Sequence, residues 1–90
     1  MNVKETLTIL SEESAEVIQA SSKLIRFGTY DENNVAKLEK ELGDVMAMVL
    51  ILDYYGYIKL DNIKNQIEPK LQKLKKYSKI KNLNKIIKNL

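Results

Sequence analysis

The 90-residue sequence contains no cysteine and no histidine, and it has only three glycines and one proline. Without cysteine the chain can form neither a disulfide framework nor a thiolate metal site. Without histidine it lacks the usual zinc ligand and the usual general base at neutral pH. The scarcity of glycine and proline excludes a collagenous or a Pro/Gly-rich disordered chain. Any catalysis must therefore depend on carboxylates, hydroxyl groups, lysines or a bound hard cation.

Long hydrophobic runs are also missing. The longest apolar run covers residues 45–52, far short of the roughly 20 residues that a membrane span needs. The first seven residues include an acid and an interrupted apolar pattern, which does not resemble a signal peptide. We therefore expect a cytoplasmic protein with no membrane partner. At this length we expect one small domain whose monomeric core is marginal.

Charge is distributed unevenly along the chain. Residues 1–45 hold nine acids and five bases, whereas residues 46–90 hold three acids and ten lysines. No acidic residue follows Glu68, but eight lysines do. The first half is therefore expected to attract cations and the second half anions.

Apolar residues recur at the three-four spacing of helices through most of the sequence. This spacing predicts a first helix over about residues 3–27, closed by Gly28. A second helix is predicted from a cap at Asn34 to near Gly56. Its segment 46–52 is apolar on every side, which indicates that a partner subunit covers it. We predict an all-α protein, an antiparallel helical bundle completed by homo-oligomerisation.

The remainder of the chain predicts further helices. A third helix is expected from a cap at Asp61, and Pro69 inside it predicts a kink or a division into two shorter helices. The apolar residues between Ile80 and Leu90 predict a short amphipathic fourth helix with a lysine-rich outer face. We divide the chain into a main helical domain over residues 1–77 and this lysine-rich helix or tail over residues 78–90.

Four acidic residues lie beside the apolar stripes of the first two helices. Glu13 and Glu16 are three residues apart on the first, and Glu41 and Asp44 are three apart on the second, so each pair shares a helix face. On antiparallel neighbours these pairs would surround one point. Four such carboxylates repel one another unless a cation lies between them. Mg²⁺, a hard ion that prefers oxygen ligands, is the expected occupant, and Mn²⁺ is the alternative.

The two acidic segments resemble a known family signature. Residues 13–17 read Glu-Ser-Ala-Glu-Val and residues 41–45 read Glu-Leu-Gly-Asp-Val. Together they resemble the Glu-x-x-Glu and Glu-x-x-Asp motifs of the MazG-like, all-α nucleoside triphosphate pyrophosphohydrolases. The resemblance covers roughly residues 5–77.

The resemblance implies magnesium-dependent hydrolysis of a (deoxy)nucleoside triphosphate to the monophosphate and pyrophosphate. By motif position it implies that Glu13, Glu16, Glu41 and Asp44 are the catalytic residues and the metal ligands. It also implies a dimer or tetramer whose subunits share helical bundles.

A triphosphate needs cationic contacts besides the metal. Lys23 lies two turns beyond Glu16 on nearly the same face of the first helix, and Lys70 and Lys73 share a face of the third. These three lysines are the predicted phosphate contacts. Five aromatic residues are candidates to stack on the base, but they do not select one: Phe27, Tyr30, Tyr54, Tyr55 and Tyr57.

Two other interpretations agree with parts of the sequence. Phosphoribosyl-ATP pyrophosphohydrolase is a helical relative with similar acidic motifs, but the histidine expected after its second motif is absent here. A non-enzymatic helical oligomerisation module, with a basic tail that binds nucleic acid or an acidic partner, is the alternative from another class. The tail has little aromatic interleaving and no arginine, so nucleic acid is the less favoured partner.

Overall fold

The computed structural model describes residues 1–90 and contains helices and turns but no β-strand. This confirms the predicted all-α class. The chain forms two compact units, residues 1–58 and residues 59–90. None of the helices has the length and apolar character needed to cross a bilayer. The five helices, in chain order, are α1 Val3–Phe27, α2 Glu32–Tyr54, α3 Leu60–Lys64, α4 Ile67–Tyr77 and α5 Leu83–Lys88.

Helix α1 has the bounds that the sequence predicts. At its start the Asn2 side-chain oxygen accepts a hydrogen bond from the Glu5 backbone N–H at 2.9 Å, which satisfies one free donor of the first turn. At its end Gly28 adopts φ +132° and donates its N–H to the Leu24 carbonyl at 3.1 Å. Glycine tolerates this conformation because it has no Cβ. The chain can therefore leave the helix sharply and turn back within residues 28–31.

Helix α2 begins earlier than the sequence predicted, and the assignment of Asn34 as its cap is wrong. The cap is Asp31, whose carboxylate accepts a hydrogen bond from the Asn34 backbone N–H at 2.9 Å. Asn34 is consequently the third residue of the helix, the usual partner of a capping carboxylate. The helix ends at Tyr54, and Gly56 follows with φ +75°, in agreement with the predicted end near this glycine.

In the first unit, α1 and α2 pack against each other as a helical hairpin. The short connection between two long, contacting helices makes them antiparallel. The apolar core lies between them and consists of Ala20, Leu24, Met48 and Leu52. Leu52 is the most deeply buried, with 1% of its surface exposed. This small core fixes the register in which the polar residues of the two helices meet.

Several large apolar side chains of the hairpin remain exposed within the single chain. Ile18 and Ile25 on α1 are 69% and 78% exposed, and Met46 and Leu50 on α2 are 52% and 53% exposed. We call these four the outer apolar residues. The predicted burial of segment 46–52 on every side is thus not achieved by one copy of the chain alone.

The second unit contains the predicted break near Pro69. Two short helices, α3 and α4, replace a single long one, and Pro69 is the third residue of α4. There its missing N–H costs no helical hydrogen bond, because the first four N–H groups of a helix have no partner within it. The cap assigned to Asp61 is wrong: α3 starts at Leu60, and Asp61 lies in its first turn.

The tail forms a helix that is shorter than predicted. It begins at Leu83, so Ile80 and Leu90 lie outside it. Asn82, which precedes it, adopts the left-handed conformation at φ +65°. Leu83 is the buried residue of this helix, with 5% of its surface exposed. The proposed domain boundary after residue 77 stays a prediction.

Candidate active site

Three acidic side chains converge in the helical hairpin: Glu13 from α1, and Glu41 and Asp44 from α2. One carboxylate oxygen from each lies within 4.8 Å of the others. Glu41 is buried, with 5% of its surface exposed, while Glu13 and Asp44 are half-buried. We call this group the acidic cluster.

Local helical geometry and the hairpin register together produce the acidic cluster. Glu41 and Asp44 share a face of α2 because residues three apart are neighbours on a helix. The antiparallel return of the chain then brings Glu13 of α1 to the same point. Sequence spacing alone predicts that Glu41 and Asp44 share a face. The position of Glu13 beside them depends on the register in which the two helices pack.

Lys40 is the cation beside the acidic cluster. Its Nζ donates a hydrogen bond to Asp44 Oδ2 at 3.0 Å and lies 3.7 Å from Glu41 Oε1. The Lys40 side chain is 69% exposed. Lys40 is not among the site residues predicted from the sequence. Its position one turn before Asp44 and next to Glu41 was the available signal, since oppositely charged residues four apart on a helix commonly pair.

The electrostatics of the acidic cluster appear in the pKa values of two groups. Desolvation by burial raises the pKa of the Glu13 carboxyl above its ordinary value, and its interactions with Asp44 and Glu41 raise it further, while Lys40 opposes them. The hydrogen bond to Asp44 raises the pKa of the Lys40 ammonium, and the negative charges of Asp44 and Glu41 act in the same direction. The Lys40 shift reflects the negative charge of its neighbours, whereas the Glu13 shift reflects desolvation first and negative neighbours second.

The acidic cluster has the chemistry of a site for a hard divalent cation. Its donors are carboxylate oxygens, which Mg²⁺ and Mn²⁺ prefer. Three carboxylates facing one ammonium leave negative charge that a divalent ion could neutralise. A buried carboxylate such as Glu41 is costly unless a cation or hydrogen bonds compensate it. The residues present therefore fit such an ion.

The other predicted site residues of the hairpin lie outside the acidic cluster. Glu16 is half-buried on α1, one turn beyond Glu13, and is not among the three carboxylates that converge. Lys23 is half-buried two turns further along the same helix. The structure thus brings together three of the four predicted carboxylates.

The remaining candidates are surface residues. Lys70 and Lys73 are exposed on α4, in the second unit. The five aromatic candidates for the base pocket are all exposed. Tyr54 and Tyr55 contact each other edge to face, with ring centroids 5.0 Å apart, and the Arg26 guanidinium lies 5.1 Å from the centre of the Phe27 ring. These contacts do not select a nucleobase.

Comparison with known families identifies the family to which the chain belongs. A family model of the MazG nucleotide pyrophosphohydrolase domain matches residues 1–78. The chain belongs to this family. The resemblance found in the sequence is therefore confirmed. No curated protein and no solved structure matches the chain.

Membership in the MazG family supports a nucleotide pyrophosphohydrolase with a nucleotide substrate. The family is metal-dependent in general, which agrees with a cluster of carboxylates that could hold a metal ion. The matched residues include both helices of the hairpin, α1 and α2, and helices α3 and α4. Both acidic motifs therefore lie inside the family domain.

Proposed function

We propose that this MazG domain hydrolyses a (deoxy)nucleoside triphosphate to the monophosphate and pyrophosphate, with Mg²⁺ as the metal and Mn²⁺ as the alternative. The observation that carries the proposal is the convergence of Glu13, Glu41 and Asp44 in a chain of this family. We assign these three carboxylates as metal ligands, with Glu16 as the fourth ligand predicted from its motif. A cytoplasmic location belongs to the same proposal.

In the proposed reaction, water attacks the α- or β-phosphorus, and the bond from that phosphorus to the oxygen bridging the α- and β-phosphates breaks, which yields the monophosphate and pyrophosphate. A divalent ion held by these carboxylates would supply charge neutralisation and would lower the pKa of a bound water. We assign acceptance of the water proton to one of the four carboxylates, since the chain has no histidine. The buried position of Glu41 suits a fixed ligand, because a side chain held by packing needs no reordering when substrate arrives.

The phosphate contacts remain part of the proposal. Lys23 is on the same helix as Glu13 and Glu16, so it is the one of the three predicted phosphate contacts that shares a rigid element with proposed metal ligands. Lys70 and Lys73 stay predictions as further phosphate contacts. Each would offer a point charge on a flexible stem, which suits a triphosphate whose charge is spread over many oxygens.

We also propose that the protein is a homo-oligomer, a dimer or a tetramer. The outer apolar residues support this, because a single chain leaves them uncovered on both helices of the hairpin. The hairpin core contains only four buried apolar residues, and small domains with small cores commonly need added burial to be stable. A second copy of the hairpin offers apolar side chains of the same kind.

A nucleotide panel tests the activity. The purified protein is incubated with each ribo- and deoxyribonucleoside triphosphate and Mg²⁺, and monophosphate and pyrophosphate are quantified. We expect turnover that a chelator abolishes and that Glu41→Gln reduces by at least about a hundredfold. Glu39→Gln is the matched control, since Glu39 is exposed on the same helix. No turnover of any nucleotide would refute the proposal.

The basic second unit favours one alternative function. All eight lysines after Glu68 are exposed, so the unit could bind a polyanion by counterion release. Salt-sensitive binding of DNA or RNA, without nucleotide turnover, would support a non-enzymatic module instead of the enzyme.

A further inference from the structure

The Lys40 ammonium lies beside the acidic cluster, where a cation can compensate the negative charge of the carboxylates. It contacts Asp44 at 3.0 Å and Glu41 at 3.7 Å, so one positive charge serves two of the three carboxylates. Lys40 is thus the counter-ion that the chain itself provides.

An ammonium and a divalent ion compete for the same carboxylates. Like charges a few ångströms apart repel strongly, even when water screens part of the interaction. Lys40 can move away from the carboxylates easily, because its side chain is 69% exposed and the four-carbon stem of a lysine is flexible. Its departure would open no cavity in the core, which lies elsewhere between the two helices.

We propose that Lys40 is a built-in competitor of the divalent cation, because it partly neutralises the acidic cluster in the metal-free protein and leaves Asp44 when the ion binds. The inference rests on the proposed function, which assigns Glu13, Glu41 and Asp44 as metal ligands. In this arrangement Lys40 stabilises the metal-free hairpin and weakens metal affinity. It is a positioning residue that sets the metal concentration at which the site fills.

The test measures metal affinity and metal-free stability of the full chain without nucleotide. Isothermal titration with MgCl₂ and with MnCl₂ compares wild type, Lys40→Gln and the charge-preserving Lys40→Arg. Lys4→Gln is the control for net charge, since Lys4 is exposed on α1 more than two turns before Glu13. Thermal unfolding in the presence of a chelator compares the same proteins.

We expect Lys40→Gln to bind the ion at least about threefold more tightly, since exposed ion pairs of this kind change an equilibrium a few-fold. Its metal-free Tm should fall, because Asp44 and Glu41 lose their counter-ion. Lys40→Arg and Lys4→Gln should bind with nearly wild-type affinity. Opposite changes in metal-free stability and metal affinity are the signature of competition, which loss of a merely structural residue would not produce.

Three results would overturn the inference. If Lys40→Gln binds the ion no more tightly than wild type while wild type hydrolyses nucleotides, Lys40 is not a competitor and the proposed function stands. If Lys4→Gln tightens binding as much as Lys40→Gln, the effect comes from net charge. If no protein binds the ion and none turns over a nucleotide, the inference and the proposed function both fail.

Discussion

Glu13 of α1 and Asp44 of α2 are 31 positions apart in sequence, yet their carboxylates meet within 4.8 Å across the helical hairpin. The pKa of Glu13 is raised, first by desolvation and then by Asp44. This contact between like charges is unfavourable in the absence of a cation. The stability of the hairpin should therefore depend on metal, pH and the charge of each member of the acidic cluster.

Mg²⁺ should raise the Tm of the protein. An ion that binds only the folded state at ten times its dissociation constant adds about 1.4 kcal/mol of stability, which corresponds to roughly 6–11 °C for a domain of this size. Differential scanning fluorimetry with and without Mg²⁺ measures the shift. Glu41→Gln should lose most of it, while Glu39→Gln should keep it. An equal shift in all three proteins would argue against binding at the acidic cluster.

The contribution of Glu13 to the stability of the metal-free protein should increase as the pH falls through the folded-state pKa of its carboxyl. Because that pKa is raised above 4.5 on folding, the folded state binds the proton more readily than the unfolded state. The corresponding stability is fully present below the unfolded pKa and is lost as the pH rises through the folded pKa. Denaturant unfolding across this range should show the trend in wild type relative to Glu13→Gln. Identical pH profiles for the two proteins would contradict it.

Leu52 and Leu50 form a matched pair for separating the core from the outer apolar residues. Leu52→Ala should reduce the free energy of unfolding by about 2–5 kcal/mol, because Leu52 is 1% exposed and its loss leaves a cavity. Leu50, 53% exposed in one chain, should instead affect association. Light scattering after size exclusion should show that Leu50→Ala shifts the oligomer toward smaller species. An unchanged assembly in that variant would place Leu50 outside the subunit interface.

The Asp31 cap can be tested by the variant Asp31→Ala. Loss of its hydrogen bond to the Asn34 N–H leaves that donor without its capping partner, at a cost of about 1 kcal/mol. Asp31→Asn should retain most of the stability, because an amide oxygen also accepts the bond. Denaturant unfolding of the two variants distinguishes capping from a general charge effect. Equal losses in both would indicate that the charge rather than the hydrogen bond matters.

The sequence predicted the helices well where local signals were unambiguous. Apolar spacing and Gly28 placed both ends of α1, and Pro69 indicated the division between α3 and α4. The start of α2 was missed because Asp31 and Asn34 can both cap a helix. The choice depends on which backbone N–H meets which side chain, a matter of local geometry.

The acidic cluster was predicted in part for a comparable reason. Motif spacing singled out four carboxylates, but a three-residue spacing specifies a helix face and not how far each side chain reaches across to the other helix. Packing of the hairpin brings Glu13 to Glu41 and Asp44 and leaves Glu16 outside. Lys40 was not predicted as a site residue because the sequence contains many lysines expected at the surface. Its spacing from Asp44 permitted an ion pair, and the observed distances show that this pair forms.

The acidic cluster draws one carboxylate from α1 and two from α2, so neither helix alone carries all three. An ion held there would link α1 to α2 and slow the separation of the two helices. Metal affinity would then report whether the hairpin is closed. Any variant that loosens the helices, however far from the carboxylates, should release the ion more readily.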